Sequence, residues 1–283
     1  MNSNAAEPLR QVAELIATFG REDWLVVDCR FDLAATEAGH LAYLEAHIPG
    51  ACYAHLDRDL SGPPSTDHGR HPLPTPERLC ALFSALGIDA TRQVVAYDDV
   101  GGMFAARLWW MLRYMGHGAV SVLDGGWQAW VNAGGSVASG EQRPRARRFV
   151  GAPRRDRLVT LEEVAGVTQL VDARAAPRYR GEVEPLDKHP GHIPGALNHC
   201  WQSNLAADGR LAAPQVLTRQ WQDSLAGLPD DTTVHYCGSG VSACHNVLAQ
   251  VAAGLPEPRL YCGSWSEWCR DSGRPRAIGG ESR

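Results

Sequence analysis

The run Asp231-Thr232-Thr233-Val234-His235-Tyr236-Cys237-Gly238-Ser239-Gly240-Val241-Ser242-Ala243 moves from polar turn residues through a short apolar strand to a cysteine, two glycines and two hydroxyl residues. A helical pattern begins at Ala243. A strand over 233–236 running straight into a helix over 243–253 is the strand–loop–helix step of a parallel α/β sheet. Gly238 and Gly240 let such a loop curl tightly. A curled loop turns main-chain N–H groups inward, and the helix N-terminus adds its positive end. Both favour a thiolate over a thiol, so Cys237 is expected to be a nucleophile.

The chain carries a second, altered copy of this region. Gln93-Val94-Val95-Ala96-Tyr97-Asp98 parallels Thr232-Thr233-Val234-His235-Tyr236-Cys237. Leu25-Val26-Val27-Asp28-Cys29-Arg30 parallels Leu170-Val171-Asp172-Ala173-Arg174, and His47-Ile48-Pro49-Gly50-Ala51 recurs as His192-Ile193-Pro194-Gly195-Ala196. Leu123-Asp124-Gly125-Gly126-Trp127 returns as Tyr261-Cys262-Gly263-Ser264-Trp265. Blocks in one order at near-constant separation mean a duplicated domain rather than a solenoid of short units. Each copy alternates apolar strands (25–28, 94–97 and 120–123; 170–172, 233–236 and 259–261) with helical stretches (76–86 and 104–115; 214–225 and 243–253). This predicts two α/β domains, each a mainly parallel sheet with helices on both faces. The expected division is 1–139, a linker over 140–157 rich in Gly, Pro and Arg, and 158–283, with a loosely ordered tail from Ser272. Thr75 should cap the helix at 76, and Thr160 with Glu163 should open another through a capping box.

Composition narrows the function. The 283 residues are 44% hydrophobic and 21% charged with a net charge of −5, so the chain is globular and has no overall nucleic-acid footprint. No run reaches the about 18–20 apolar residues of a membrane span. The eight cysteines form no C-x-x-C pair and no zinc spacing. Without a signal-like N-terminus they imply reduced thiols in a cytoplasmic setting.

Cys237-Gly238-Ser239-Gly240-Val241-Ser242-Ala243 resembles the active-site loop of the two-domain sulfurtransferases of the rhodanese superfamily, and Gly238-Ser239-Gly240 is similar to its mercaptopyruvate-type members. The resemblance extends over about residues 9 to 270. It implies tandem rhodanese-like domains of which only the second is active, with Asp98 standing where the first copy lacks the nucleophile. It further implies that Gly238, Gly240, Val241 and Ser242 shape the anion-binding loop and that Arg178 holds the carboxylate of a small anionic sulfur donor. A family arginine further along that loop is replaced by Leu186, with Lys188 as a candidate substitute. His71, in His71-Pro72-Leu73-Pro74, with Asp57 and Ser239, resembles the family's Ser–His–Asp relay. A thiol, possibly thioredoxin, would accept the sulfur; no metal, organic cofactor, nucleic acid or membrane is called for.

Asp28 with Arg30 and Asp172 with Arg174 occur in both copies, one of which has no nucleophile, so they read as structural ion pairs, and His47, His192, Trp127 and Trp265 as scaffold. His235 and His245 flank the loop and also read as structural. Cys244 reads as a core thiol about two turns into the helix. Cys262 stands where the family often has Asp. Three other activities compete: thiosulfate transfer to cyanide, a cysteine phosphatase, and a non-catalytic binding or persulfide-relay module. The phosphatase pattern C-x5-R fails, because Ala243 occupies the arginine position.

Overall fold

The computed structural model describes residues 6–63, 65, 68–225, 227 and 230–280. The chain forms two compact units. The first comprises residues up to Gly62, Pro74–Arg154 and Ala207–Leu211; the second comprises Pro63–Leu73, Arg155–Ala206 and Ala212 onward.

In the first unit, strands β1 (Leu9–Arg10), β2 (Trp24–Asp28), β3 (Cys52–Tyr53), β4 (Gln93–Tyr97) and β5 (Val120–Leu123) form one sheet in the order β1-β5-β4-β2-β3. In the second, β6 (Leu170–Asp172), β7 (Leu197–Asn198), β8 (Val234–Tyr236) and β9 (Arg259–Leu260) lie in the order β7-β6-β8-β9. Every pairing is parallel. The orders match, and an isolated parallel bridge from Leu158 to Leu260 stands where β1 pairs with β5. Val120–Leu123, Leu170–Asp172 and Val234–Tyr236 are buried at every residue, the polar Ser121, Asp172 and His235 included, as in strands covered on both faces. Helices follow the strands as expected: Pro76–Ala85, Ala105–Tyr114, Pro214–Leu225 and Ser242–Ala252. Thr75 caps the first, its hydroxyl accepting from Arg78 N at 3.4 Å.

The duplication reaches individual hydrogen bonds. Arg30 pairs with Asp28 at 2.6 Å, sits over the Trp127 ring at 4.6 Å and donates to Ala46 O. Arg174 pairs with Asp172 at 2.6 Å, sits over Trp265 at 5.0 Å and donates to Gly191 O. His47 and His192 each hold a tyrosine carbonyl, of Tyr43 and Tyr179, at 2.7 Å. Tyr97 and Tyr236 take the N–H of Ile48 and Ile193. Both ion pairs are buried, so neither charge can be re-solvated if its partner is lost.

Three expectations change. The 140–157 stretch, expected as an exposed linker, is mostly exposed but docked at intervals. Up to Arg154 it groups with the first unit, where Phe149 stacks edge-on against Phe83 at 5.0 Å and its N–H bonds Ser84 Oγ. The tail is anchored as well: Trp268 Nε1 donates to Pro275 O, and Ala277 bridges His192 as Ala138 bridges His47. After Thr160, Glu163 does accept the Thr160 N–H, yet only a 3-10 turn, Val164–Gly166, follows. Gly166 is too poor a helix former for a run this short to continue.

Arg174→Met leaves Asp172 charged in a dry site. It should cost about 3–5 kcal/mol, read as a fall in the denaturation midpoint followed by a probe in the second unit.

Candidate active site

The site is built on the C-terminal end of β8, where parallel sheets open their crevices. Five residues, 237–241, separate Tyr236 from the helix at Ser242. Gly240 has φ +79, and a Cβ there would stand 2.2 Å from Cys262 O. Only glycine permits both the left-handed turn and the close backbone. The turn aims Gly240 N–H at Cys237 Sγ, 3.1 Å away. The cysteine is 2% exposed, its own N–H bonds Ser264 Oγ at 3.1 Å, and its carbonyl accepts from Trp265 N at 2.9 Å. The sulfur therefore sits at a fixed place with an amide directed at it.

The first unit shows what this loop can hold. Asp98 takes the position of Cys237, and its carboxylate accepts N–H bonds from Val100, Gly102, Phe104 and Ala105, all at 2.8 Å. Burial pushes that carboxyl above the ordinary range while the four amides pull it back. Each strand thus ends in a side chain at which main-chain N–H groups are aimed, four at Asp98 and one at Cys237.

Ser239 lies beside the cysteine, and its Oγ is 2.7 Å from His71 Nδ1. His71 is nine-tenths buried and belongs to the 63–73 segment, which groups with the second unit. Asp57 belongs to the first unit, where it is exposed and its N–H bonds His55 Nδ1. Val241 is the residue before the helix and Ser242 its first residue.

Arg178 lies on the short helix Ala176–Tyr179. Its guanidinium pairs with Glu184 at 2.7 Å and Asp187 at 3.3 Å. A Cβ on Gly238 would stand 3.5 and 3.6 Å from its two terminal nitrogens, so it reaches the cysteine loop. Lys188 is exposed, and Arg180 is spent on Glu182 at 2.6 Å.

Sequence reasoning missed two residues. Arg70 places Nη2 2.9 Å from the same Gly238 position and pairs with Asp187. Nothing in its local sequence marks it. Ser264 is the only non-glycine with positive φ (+58) among the described residues, and it binds both Cys237 N and Tyr261 O. The repeat carried that signal, since its counterpart Gly126 also has positive φ.

The remaining candidates are structural. Burial lowers His235 to about 4, so it stays neutral, bonded to Gln250 Oε1. His245 is buried against Asn204. Cys244 falls in the first turn of its helix rather than two turns in, because the loop consumes residues through 241; its thiol donates to Gly240 O. Cys262 lines a cleft of about 420 Å³ with Tyr261, Glu267 and Thr160. Among the described residues no group of His, Cys, Asp or Glu is arranged to hold a metal, and no helix is long and apolar enough to cross a membrane.

Two parallel-sheet domains of one topology, one ending its central strand in a caged carboxylate and the other in a caged thiol, define a tandem α/β protein with a single cysteine centre. The rhodanese-like domain model matches residues 11–133 and 158–271, and the chain belongs to that family. It is 48% identical over 273 residues to the "Probable 3-mercaptopyruvate sulfurtransferase" of Pseudomonas aeruginosa, covering 94% of this chain and 96% of that one. It is 35% identical over 257 residues to the thiosulfate sulfurtransferase of Rattus norvegicus, covering 87% and 84%. The structure of 3-mercaptopyruvate sulfurtransferase from Leishmania major superposes with a TM-score of 0.82 at 33% identity, covering 93% of this chain and 74% of that one.

Gly240→Ala forces a Cβ into Cys262 O and displaces the amide from the sulfur. Sulfur-transfer turnover should fall about a hundredfold, measured against a folded control by circular dichroism.

Proposed function

We propose that the chain is a sulfurtransferase that takes sulfur from 3-mercaptopyruvate onto Cys237 and passes it to a thiol. The observation that carries this reading is the amide cage: Gly240 N–H meets Cys237 Sγ in a loop whose copy holds a full carboxylate. A thiolate held there attacks the donor sulfur. An S–S bond forms, the donor C–S bond breaks, and its electron pair leaves as pyruvate enolate, which takes a proton to become pyruvate. An acceptor thiolate then attacks the outer sulfur of the persulfide and frees the Cys237 thiolate. Thioredoxin fits as an acceptor of this kind, and reduced cysteines suit a cytoplasmic setting. The loop amides of 238–242 stabilise the anionic sulfur in both half-reactions.

Ser239 and His71 favour mercaptopyruvate over thiosulfate as donor. An enolate leaving group needs a proton and sulfite does not, so a hydroxyl–imidazole pair 2.7 Å apart has work only with the carbon donor. The acidic part assigned to Asp57 rests on family resemblance. Thiosulfate transfer remains the second reading, supported by the similarity to a thiosulfate enzyme.

Exposure to mercaptopyruvate should add about 32 Da, one sulfur, to the Cys237 peptide in the mass spectrum. Cys237→Ser should show no addition; an unmodified wild-type peptide would overturn the reading. His71→Ala should lower mercaptopyruvate turnover about 10²–10⁴-fold while thiosulfate turnover changes far less. Equal losses on both donors would remove the proton-delivery role.

A further inference from the structure

Next to the cysteine loop, three stretches of the second unit enclose the cleft of about 420 Å³ that Cys262 lines. They run over 68–73, 158–162 and 261–267, and no residue of the 237–242 loop is among the lining. The stretches are fastened to one another. A Cβ on Gly69 would stand 2.5 Å from Gly263 O, so the first and third stretches touch where only glycine fits. Arg70 N–H donates to Ser266 Oγ at 3.0 Å, and Val159 N–H to Leu260 O at 2.9 Å. The cleft is therefore formed before any ligand arrives, at a size that suits a small molecule.

Its lining carries one sign of charge. The walls are apolar, from Pro72, Leu73, Val159 and Leu161, and the polar groups include the carboxylates of Glu162 and Glu267 and the hydroxyl of Tyr261. The described lining residues include no lysine or arginine. The guanidinium groups nearby are engaged elsewhere: Arg70 on Asp187, and Arg274, whose charge reaches Glu162, over the Trp268 ring at 5.1 Å. The Glu267 side chain is 11% exposed, and its ion pair is with the exposed His68 at 3.3 Å. Tyr261 is 1% exposed, and its hydroxyl has no hydrogen-bond partner. Burial, with the Glu267 carboxylate close by, keeps that hydroxyl protonated. A buried hydroxyl beside a carboxylate leaves hydrogen-bonding capacity that the chain does not itself fill.

We propose that this cleft is a binding site for a small organic cation, a primary amine on a compact apolar body. The ammonium donates to the Glu267 carboxylate and the Tyr261 oxygen and takes the place of His68, while the body lies against Pro72, Leu73, Val159 and Leu161. An ammonium has three donors and no acceptor, which matches polar groups that are carboxylates and a hydroxyl. Bonds of this kind to an ionised acceptor are the strong ones. The same carboxylates repel an anion, so an acidic sulfur donor is turned away. The site is thus separate from the cysteine mouth in chemistry as well as in lining, and it stands independently of the sulfurtransferase reading.

The test uses the full chain with Cys237→Ser, in which the nucleophile cannot react. The probe is phenethylamine, and the control is phenylacetate, a carboxylate of similar size. Calorimetric titration should show saturable binding of the amine at about millimolar concentration, the range of so small a ligand, and none of the carboxylate. Glu267→Gln should weaken the amine about tenfold or more. Glu162→Lys, at an exposed position that folding does not depend on, should weaken it several-fold. Cys262 supplies a second readout. Methanethiosulfonates transfer a thioalkyl group to a thiolate and release sulfinate, and they exist as an aminoethyl cation and a sulfonatoethyl anion. The cation-to-anion rate ratio at Cys262 should exceed the ratio at a free small thiol several-fold, fall in both glutamate variants, and fall when phenethylamine is present. Equal binding of amine and carboxylate overturns the proposal, as do an affinity and a ratio unchanged in both variants. So does phenethylamine that shields wild-type Cys237 from iodoacetamide while leaving Cys262 open, which would put the amine at the cysteine mouth.

Discussion

Main-chain amides aimed at the side chain that ends the central strand, the Asp98 carboxylate in one unit and the Cys237 sulfur in the other, are the constraint that shapes both domains. In the second unit a five-residue loop must turn from strand to helix in a space that only glycine tolerates at its tightest point, whereas the first unit makes the turn with seven residues, 98–104. Whatever occupies the loop's centre must be small and able to accept N–H bonds. In the first unit that occupant is part of the chain, Asp98, fixed by four N–H bonds. In the second it is a thiol whose sulfur receives Gly240 N–H. One fold element therefore serves as a structural peg in one copy and a reactive centre in the other. The difference that decides reactivity is the side chain that ends the strand: a carboxylate cannot accept and pass on sulfur, and a cysteine sulfur can.

Around this cage the two copies share a common support. The Asp–Arg pair at the end of β2 and β6, the tryptophan under the guanidinium and the tyrosine of the neighbouring strand recur with the same partners. These groups are buried and mutually satisfied, so they fix the loop's footing and contribute no chemistry. The unmatched features gather at the cysteine: Ser239 on His71, Arg70 and Arg178 over Gly238, and Ser264 under the Cys237 amide. Symmetry in the scaffold and asymmetry at the site separate what folds the chain from what acts.

Much of this was legible in the sequence. The repeat exposed the tandem architecture, and the buried parallel strands showed as short segments rich in apolar residues at 120–123, 170–172 and 233–236. Strands of two residues, such as Cys52–Tyr53 and Leu197–Asn198, carry no periodicity and were not visible. The docked path of residues 140–154 was hidden because most of its anchors are main-chain bonds, to Leu44, Ser84 and Tyr114, and its one buried aromatic, Phe149, lies within a polar stretch. At the site, Cys237, Ser239, His71 and Arg178 were marked by motif, and the first three of these meet in the second unit at the strand end or its hydrogen-bond partner. Arg70 was not marked, since its role depends on a tertiary approach to a glycine far along the chain. Cys244 was misplaced by a turn because loop length is set by the curl of Gly240, which spacing does not reveal.

Ser264 shows how the domain's stability and its reactivity are set against one another. A β-carbon in the left-handed region costs about 1–3 kcal/mol, and the first copy avoids that cost with Gly126. The second copy accepts it, and the hydroxyl it gains pins the nucleophile's own amide. Glycine here would free the backbone of that strain but leave the buried Cys237 amide without its hydroxyl partner, so the fold holds a strained residue in exchange for a tethered cysteine.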